Sequence, residues 1–272
     1  MVIIMKNKLL FGFFVVRNSF LSQYTYRWQV LSKIVYGILL YVTQLFIWKS
    51  VNASVPKPIY NWETMSVYVM LSSIIGVFVA FDTNYIPVIG ERVRSGDIAL
   101  DLLKPYAMFY PLFCQYLGKC LFKFLFQFIS QFLVILIISR AAFSIPLVNV
   151  AFFSVSVFLS ILLFFALSMV LGILSFWVVS VGNLHIFLDS SITLFAGSII
   201  PIWMIPEQLR WFYEILPFQY LFYKPISICL NTIELSNVCL IYAIQVGWIV
   251  ALLAIAAVLY QRGIKKLTLF GV

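Results

Sequence analysis

Residues 141–188 read AAFSIPLVNVAFFSVSVFLSILLFFALSMVLGILSFWVVSVGNLHIFL, and with His185 neutral none of them carries a charge at pH 7. A helix needs about 20 mainly apolar residues to cross the ~30 Å hydrocarbon core of a bilayer. The stretch is therefore too long for one span and too short for two with an ordinary loop between them. We place one span at about Asn149 to Val181, a turn at Gly182-Asn183, and the start of the next span at about Ile186, ending near Trp203. The rest of the chain has the same character. Of 272 residues 64% are hydrophobic and only 10% are charged, against the usual quarter or so, and mean hydropathy is +1.06. So little charge cannot cover a water-exposed surface, which excludes a soluble fold and predicts an all-α polytopic membrane protein.

Working outward, apolar runs bounded by charges, prolines or glycines predict six spans in all. The other four are Lys33 to Trp48, with a start as early as Trp28; Glu63 to Phe81, extending to Ile86 at most; Pro111 to Ser139; and Asn237 to Tyr260. Lys119 and Lys123 fall in the first turns of the third, where their stems can snorkel to an interface. Residues 1–32 mix apolar and aromatic side chains with Lys6, Lys8, Arg17 and Arg27, a density that fits an interfacial amphipathic helix on the cytoplasmic face; a disordered leader is the alternative. The chain reads as a single transmembrane domain, without internal repeats or a soluble module.

The formal charge of +9 comes from Lys and Arg scattered between apolar runs, so the positive-inside rule accounts for it and no nucleic-acid partner is implied. With six spans, only Lys49, Lys57, Arg140, Arg210 and Lys224 fall on one side; the other thirteen of the 18 basic residues fall on the side of the N-terminus. Both termini are expected in the cytoplasm of a cell-membrane protein. The four cysteines, Cys114, Cys120, Cys229 and Cys239, sit in apolar surroundings without metal-ligand spacing and read as small buried hydrophobes.

Two connecting segments carry the remaining information. In 90–105 the order Gly90, Glu91, Arg94, Gly96, Asp97, Ile98, Asp101, Leu102, Leu103, Lys104, Pro105 predicts a turn and cap at Gly96-Asp97, then a short helix from Ile98 to Leu103 stopped before Pro105. Mixed charge around Ile98, Leu102 and Leu103 suits a docking element on the cytoplasmic face, with a plain solvated loop as the alternative. In 196–228, Pro201, Pro206, Pro217 and Pro225 punctuate an apolar pattern, with a helix starting at Pro206 and stopping at Pro217 about three turns later. Too short to cross, it is expected to be re-entrant or interfacial on the external side, where Trp211 and Phe212 serve either as a gate or as belt aromatics.

Both segments resemble those of permease subunits of type-2 ATP-binding-cassette exporters, in particular a six-span branch. The run Glu91 to Pro105, through Gly96, Ile98, Leu102, Leu103 and Lys104, is similar to the branch's hallmark after the second span. Gly197, Pro201, Pro206, Leu209 and Pro217 are similar to its pattern after the fifth, and the basic Tyr260 to Lys266 to its tail. The likeness covers the whole chain and is weakest over the first thirty residues. It implies that 90–105 is a coupling helix contacting a cytosolic ATPase subunit, that a second permease, identical or not, completes a dimer, and that ATP and magnesium bind the ATPase partner. This chain would bind no cofactor.

The residues agree with the lack of an energy source here, since no G-x-x-x-x-G-K-[ST] phosphate loop occurs. An intramembrane enzyme would need a set of ligands or a nucleophile with its base. His185 is the only histidine, and with Asp189 one turn on it makes a pair and no active site. An ion-driven carrier needs ionisable residues inside spans; only Asp82, Lys119, Lys123 and Asp189 come close, all toward cytoplasmic ends. The expectation is a non-catalytic, ATP-driven export permease for an amphipathic or hydrophobic cargo such as a drug, peptide or lipid. Export of a polysaccharide or lipid-linked glycan is the alternative.

Overall fold

The apolar runs fold as helices because their backbone groups can be satisfied in lipid only within the segment. The computed structural model describes residues 2–54, 61–79, 85–98, 100, 103–104, 106–139, 145–178 and 184–269. Its helices are α1 (Val2–Ser22), α2 (Arg27–Ser54), α3 (Trp62–Val79), α4 (Tyr85–Ser95), α5 (Phe109–Phe122), α6 (Ile129–Ser139), α7 (Leu147–Ile173), α8 (Leu184–Phe195), α9 (Glu207–Ile215), α10 (Tyr223–Cys229) and α11 (Leu235–Leu269). No strand occurs among the described residues. The molecule is an all-α polytopic membrane protein.

Five helical stretches are long and apolar enough to cross a membrane: Lys8–Ser54, Trp62–Val79, Phe109–Ile137, Leu147–Phe176 and Ser236–Lys265. The expected span from Ile186 to Trp203 is not among them. Helix α8 has 12 residues, about 18 Å at 1.5 Å per residue, and stops at Phe195. Beyond it Gly197 takes φ +76°, a left-handed conformation that ends helices, and Pro201 follows. The turn expected at Gly182-Asn183 lies outside the described residues.

Residues 2–22 are helical, as expected of the N-terminal segment. Only a short 3-10 stretch, Gln23–Tyr26, separates α1 from α2, and both flanking residues keep helical backbone. No glycine or proline occurs between Gly12 and Gly37 to break the path. Helix α1 packs along α5 in the same direction. Tyr110 Oη donates to the Lys8 carbonyl at 2.9 Å, and Phe20 and Tyr24 meet Phe122 edge-on further along. Gly118 makes the approach possible, since a Cβ there would lie 2.4 Å from the Val16 carbonyl oxygen.

The core gathers around α3 and α7, where Tyr68, Ile75, Val79, Leu163, Phe164, Met169 and Ile173 are fully buried. Helix α11 runs parallel to α7: Tyr242 Oη donates to the Phe152 carbonyl at 2.6 Å, and Gly263 faces the Phe176 ring at the far end. Outward-facing Phe46, Ile137, Leu147 and Val250 are largely exposed, as lipid-facing side chains are when lipid is the solvent. Between α5 and α6 the chain widens into a π-helical turn, Lys123–Phe128, and Lys123 is turned inward, 6% exposed, instead of snorkelling as expected.

Candidate functional site

Contacts sort the connecting segments into two ends. Ring contacts join Phe109 and Phe176 to Tyr260; α4 packs on α7 and on the 3-10 turn Leu174–Phe176; and Tyr110 reaches Lys8. The N-terminal helix, residues 85–98 and the end of α11 thus share one end of the bundle. The segment after α8 lies toward the other, bonded to the middle of α3 through Tyr68 and Ser72.

At the first end the expected helix start at Gly96-Asp97 is preceded by a helix that pattern reading missed. Residues Tyr85–Ser95 form α4 with Glu91 exposed, Arg94 in its last turn and Ile89 fully buried. Gly96, at φ +79°, ends it. Ser95 Oγ donates to Asp97 Oδ2 at 2.7 Å, and the Leu100 amide bonds the Asp97 carbonyl at 3.0 Å, so a new helical turn begins at Ile98 as expected. One assignment changes. Ile98 is 2% exposed and belongs to the chain's own core, so it is not available for docking. Leu103, named from the sequence, is 83% exposed, and Leu100, which was not, is 60% exposed. Asp101, Leu102 and Pro105 lie outside the described residues.

At the other end the prolines act where expected. Pro201 opens a 3-10 turn, Ile202–Met204. Pro206 caps α9, which ends at Ile215, and Pro217 opens a further 3-10 turn, Pro217–Tyr220. Arg210 Nη2 donates to the Trp203 and Ile205 carbonyls, both at 3.4 Å, tying α9 back to the loop before it. Trp211 is exposed; Phe212 is partly so and meets the Phe195 ring edge-on at 5.6 Å.

The irregular backbone between these turns is satisfied by side chains that sequence reasoning passed over. Tyr68 Oη donates to the Gly197 carbonyl and Ser72 Oγ to that of Ser198. The Tyr220 carbonyl accepts from Ser160 Oγ at 2.8 Å and Gln245 Nε2 at 3.0 Å. Gln245 Oε1 in turn accepts from Ser156 Oγ at 3.1 Å. Ser156, Ser160 and Gln245 are fully buried. Ser160 stands about 20 Å along α7 from its start at Leu147, at 1.5 Å per residue, so the segment dips well below the end of the span. This is re-entrant backbone held by protein, the form tolerated at membrane depth. The available signal was polar residues inside apolar runs, Gln245 above all.

An all-helical bundle with a capped connector at one end and a proline-punctuated segment toward the other is the frame of a polytopic membrane protein. The profile of the ABC-2 family transporter proteins matches residues 38–271, and the chain belongs to that family as an ABC-2-type permease. The match begins after α1, where the likeness read from sequence is weakest. No curated protein and no solved structure gives a significant match. Permeases of this family are membrane components that generally work with ATPase activity in separate subunits.

Proposed function

We propose that this chain is the membrane half of an ATP-driven exporter, moving an amphipathic or hydrophobic cargo out of the cytoplasm. It pairs with a second permease, and one cytosolic ATPase docks on the 90–105 segment of each. ATP and magnesium bind the ATPase; the permease supplies the pathway and transmits its closure. The observation that carries this function is the pair Leu100 and Leu103, apolar and exposed beside the hydrogen-bonded Ser95-Gly96-Asp97 turn. The end they occupy also holds α1 and the last turns of α11, matching the basic bias of those segments. Helix α4 is packed on α7, so a push on the turn is transmitted to a central span.

The test is co-purification of the chain with its ATPase and measurement of cargo-stimulated hydrolysis. Leu100→Glu with Leu103→Glu removes two exposed apolar contacts, each of order 1.5–3 kcal/mol when buried in a partner. Membrane insertion is expected to be normal, with ATPase recovery reduced at least tenfold. Unchanged recovery and coupling would make the segment a plain connector.

A further inference from the structure

A cleft of about 430 Å³ opens between α2, α3, α8 and the loop after Gly197, within the range of sites that hold drug-sized molecules. Leu40, Ile192 and Phe222 supply its apolar wall. Its polar wall is unbalanced. The hydroxyls of Ser72, Ser73 and Thr193 are already spent on the carbonyls of Ser198, Val69 and Asp189. The Tyr36 and Ser198 hydroxyls and the Gln44 amide line it too, and two acceptors, Asp189 Oδ1 and Gln44 Oε1, are closed off from solvent without a hydrogen-bond partner. Among the described residues, no Lys or Arg lines the cleft. His185, one turn before Asp189 on α8, has its Nδ1 unpartnered as well, so that atom does not bond Asp189 Oδ1.

Buried acceptors without donors are costly, and an ionised carboxylate can only accept. A guest that relieves both must bring N–H or O–H donors, and one that also balances Asp189 must be cationic. The adjoining apolar wall calls for a hydrophobic body beside that cation. We infer that the cleft binds the ammonium-like end of an amphipathic cation, with Asp189 as its counter-charge and Gln44 as a second acceptor. This deepens the export function proposed above by naming the chemistry of the cargo, and it rests on that function for the word cargo alone. The ammonium can come from a soluble amphiphile or from an amine-bearing lipid headgroup.

The experiment uses the full chain, without ATPase, in phosphatidylcholine nanodiscs. The probe is rhodamine 6G, a cationic xanthene bearing two N–H donors, read by fluorescence anisotropy. Fluorescein, its anionic relative, is the comparator. Saturable rhodamine binding and no fluorescein binding are expected. Asp189→Asn, which keeps the shape, is expected to weaken binding at least tenfold, and Gln44→Leu severalfold. Glu214→Gln, on α9 and away from the cleft, is expected to change nothing. Adding phosphatidylethanolamine separates the sources: competition assigns the cleft to the lipid amine, and its absence to a soluble cation.

Equal rhodamine binding by the native chain and Asp189→Asn overturns the inference, as does equal binding of fluorescein. Weakened binding that coincides with a change in oligomeric mass also overturns it, because a second copy of the chain would then satisfy the acceptors. Where Asp189→Asn does not insert, the native chain's choice between the two dyes decides. Because no ATPase is present, failure here leaves the docking test above unaffected, and the converse holds too.

Discussion

Replacing Gln245 by Leu removes the side chain that joins α7, α11 and the re-entrant segment. The native amide donates to the Tyr220 carbonyl at 3.0 Å, the Ser156 carbonyl at 3.3 Å and Ser160 Oγ at 3.4 Å, and its oxygen accepts from Ser156 Oγ at 3.1 Å. Tyr220 keeps Ser160 as a donor, while Ser156 Oγ loses its acceptor at a fully buried position. Interhelical hydrogen bonds in membranes average about 0.6 kcal/mol and reach about 1.7, so a loss of ~1–2 kcal/mol is expected, concentrated on the segment that Tyr220 anchors. That is a roughly 5- to 30-fold rise in its open population. Cys229, 3% exposed at the end of α10, reports that opening. In a background without Cys114, Cys120 and Cys239, maleimide labelling of Cys229 should accelerate by the same factor where opening is fast relative to labelling. A labelling rate within twofold of native would refute the anchoring role, and faster labelling together with a collapsed melting temperature would assign the effect to the whole bundle.

Gly197→Ala places a side chain at φ +76° with its Cβ 3.1 Å from Tyr68 Oη; a loss of about 1 kcal/mol or more is expected in thermal melts, against no clash for Gly247→Ala, which has nothing within 4 Å. Gly118→Val sets Cβ against the Val16 carbonyl, so α1 should separate from α5, read as faster maleimide labelling of Cys114, which is 6% exposed beside Gly12, in a background without the other three cysteines. Alanine at Trp211 and Phe212 distinguishes gate from belt: normal abundance with altered basal ATPase or cargo leak supports a gate, and altered abundance with near-normal transport per molecule supports a belt. A cysteine at Ser95 should label only from the cytoplasm, and external labelling would overturn both orientation and docking.

What pattern reading could reach follows from how far each determinant lies along the chain. Pro206 and Pro217 bound α9 as expected because a missing N–H and a fixed φ act on the adjacent residues alone. The charge-free run predicted α7 because lipid enforces helix wherever length and apolarity suffice. Helix α4 was missed although it is local; it holds Pro87 and Gly90, both poor residues for a helix interior. Pro87 falls in the first turn, where its lost donor is an orphan anyway, and Gly90, at a cost of about 1 kcal/mol, sits buried in the packed helix.

The end of α8 is a different kind of case. Apolarity continues through Ile199, Ile200 and Ile202, and Gly197 and Pro201 are the only local signals that the helix stops at Phe195. The stop becomes stable because Tyr68, 129 positions earlier, takes the Gly197 carbonyl, and the Tyr223 amide takes that of Ala196 at 3.2 Å. Ile98 and Leu100 are equivalent by composition, and only the approach of the rest of the bundle turns one inward and leaves the other exposed. Re-entrant backbone in lipid must be satisfied by other helices, so its position is encoded in their polar residues, and an isolated Gln or Ser in an apolar span is where a search for such a segment should begin.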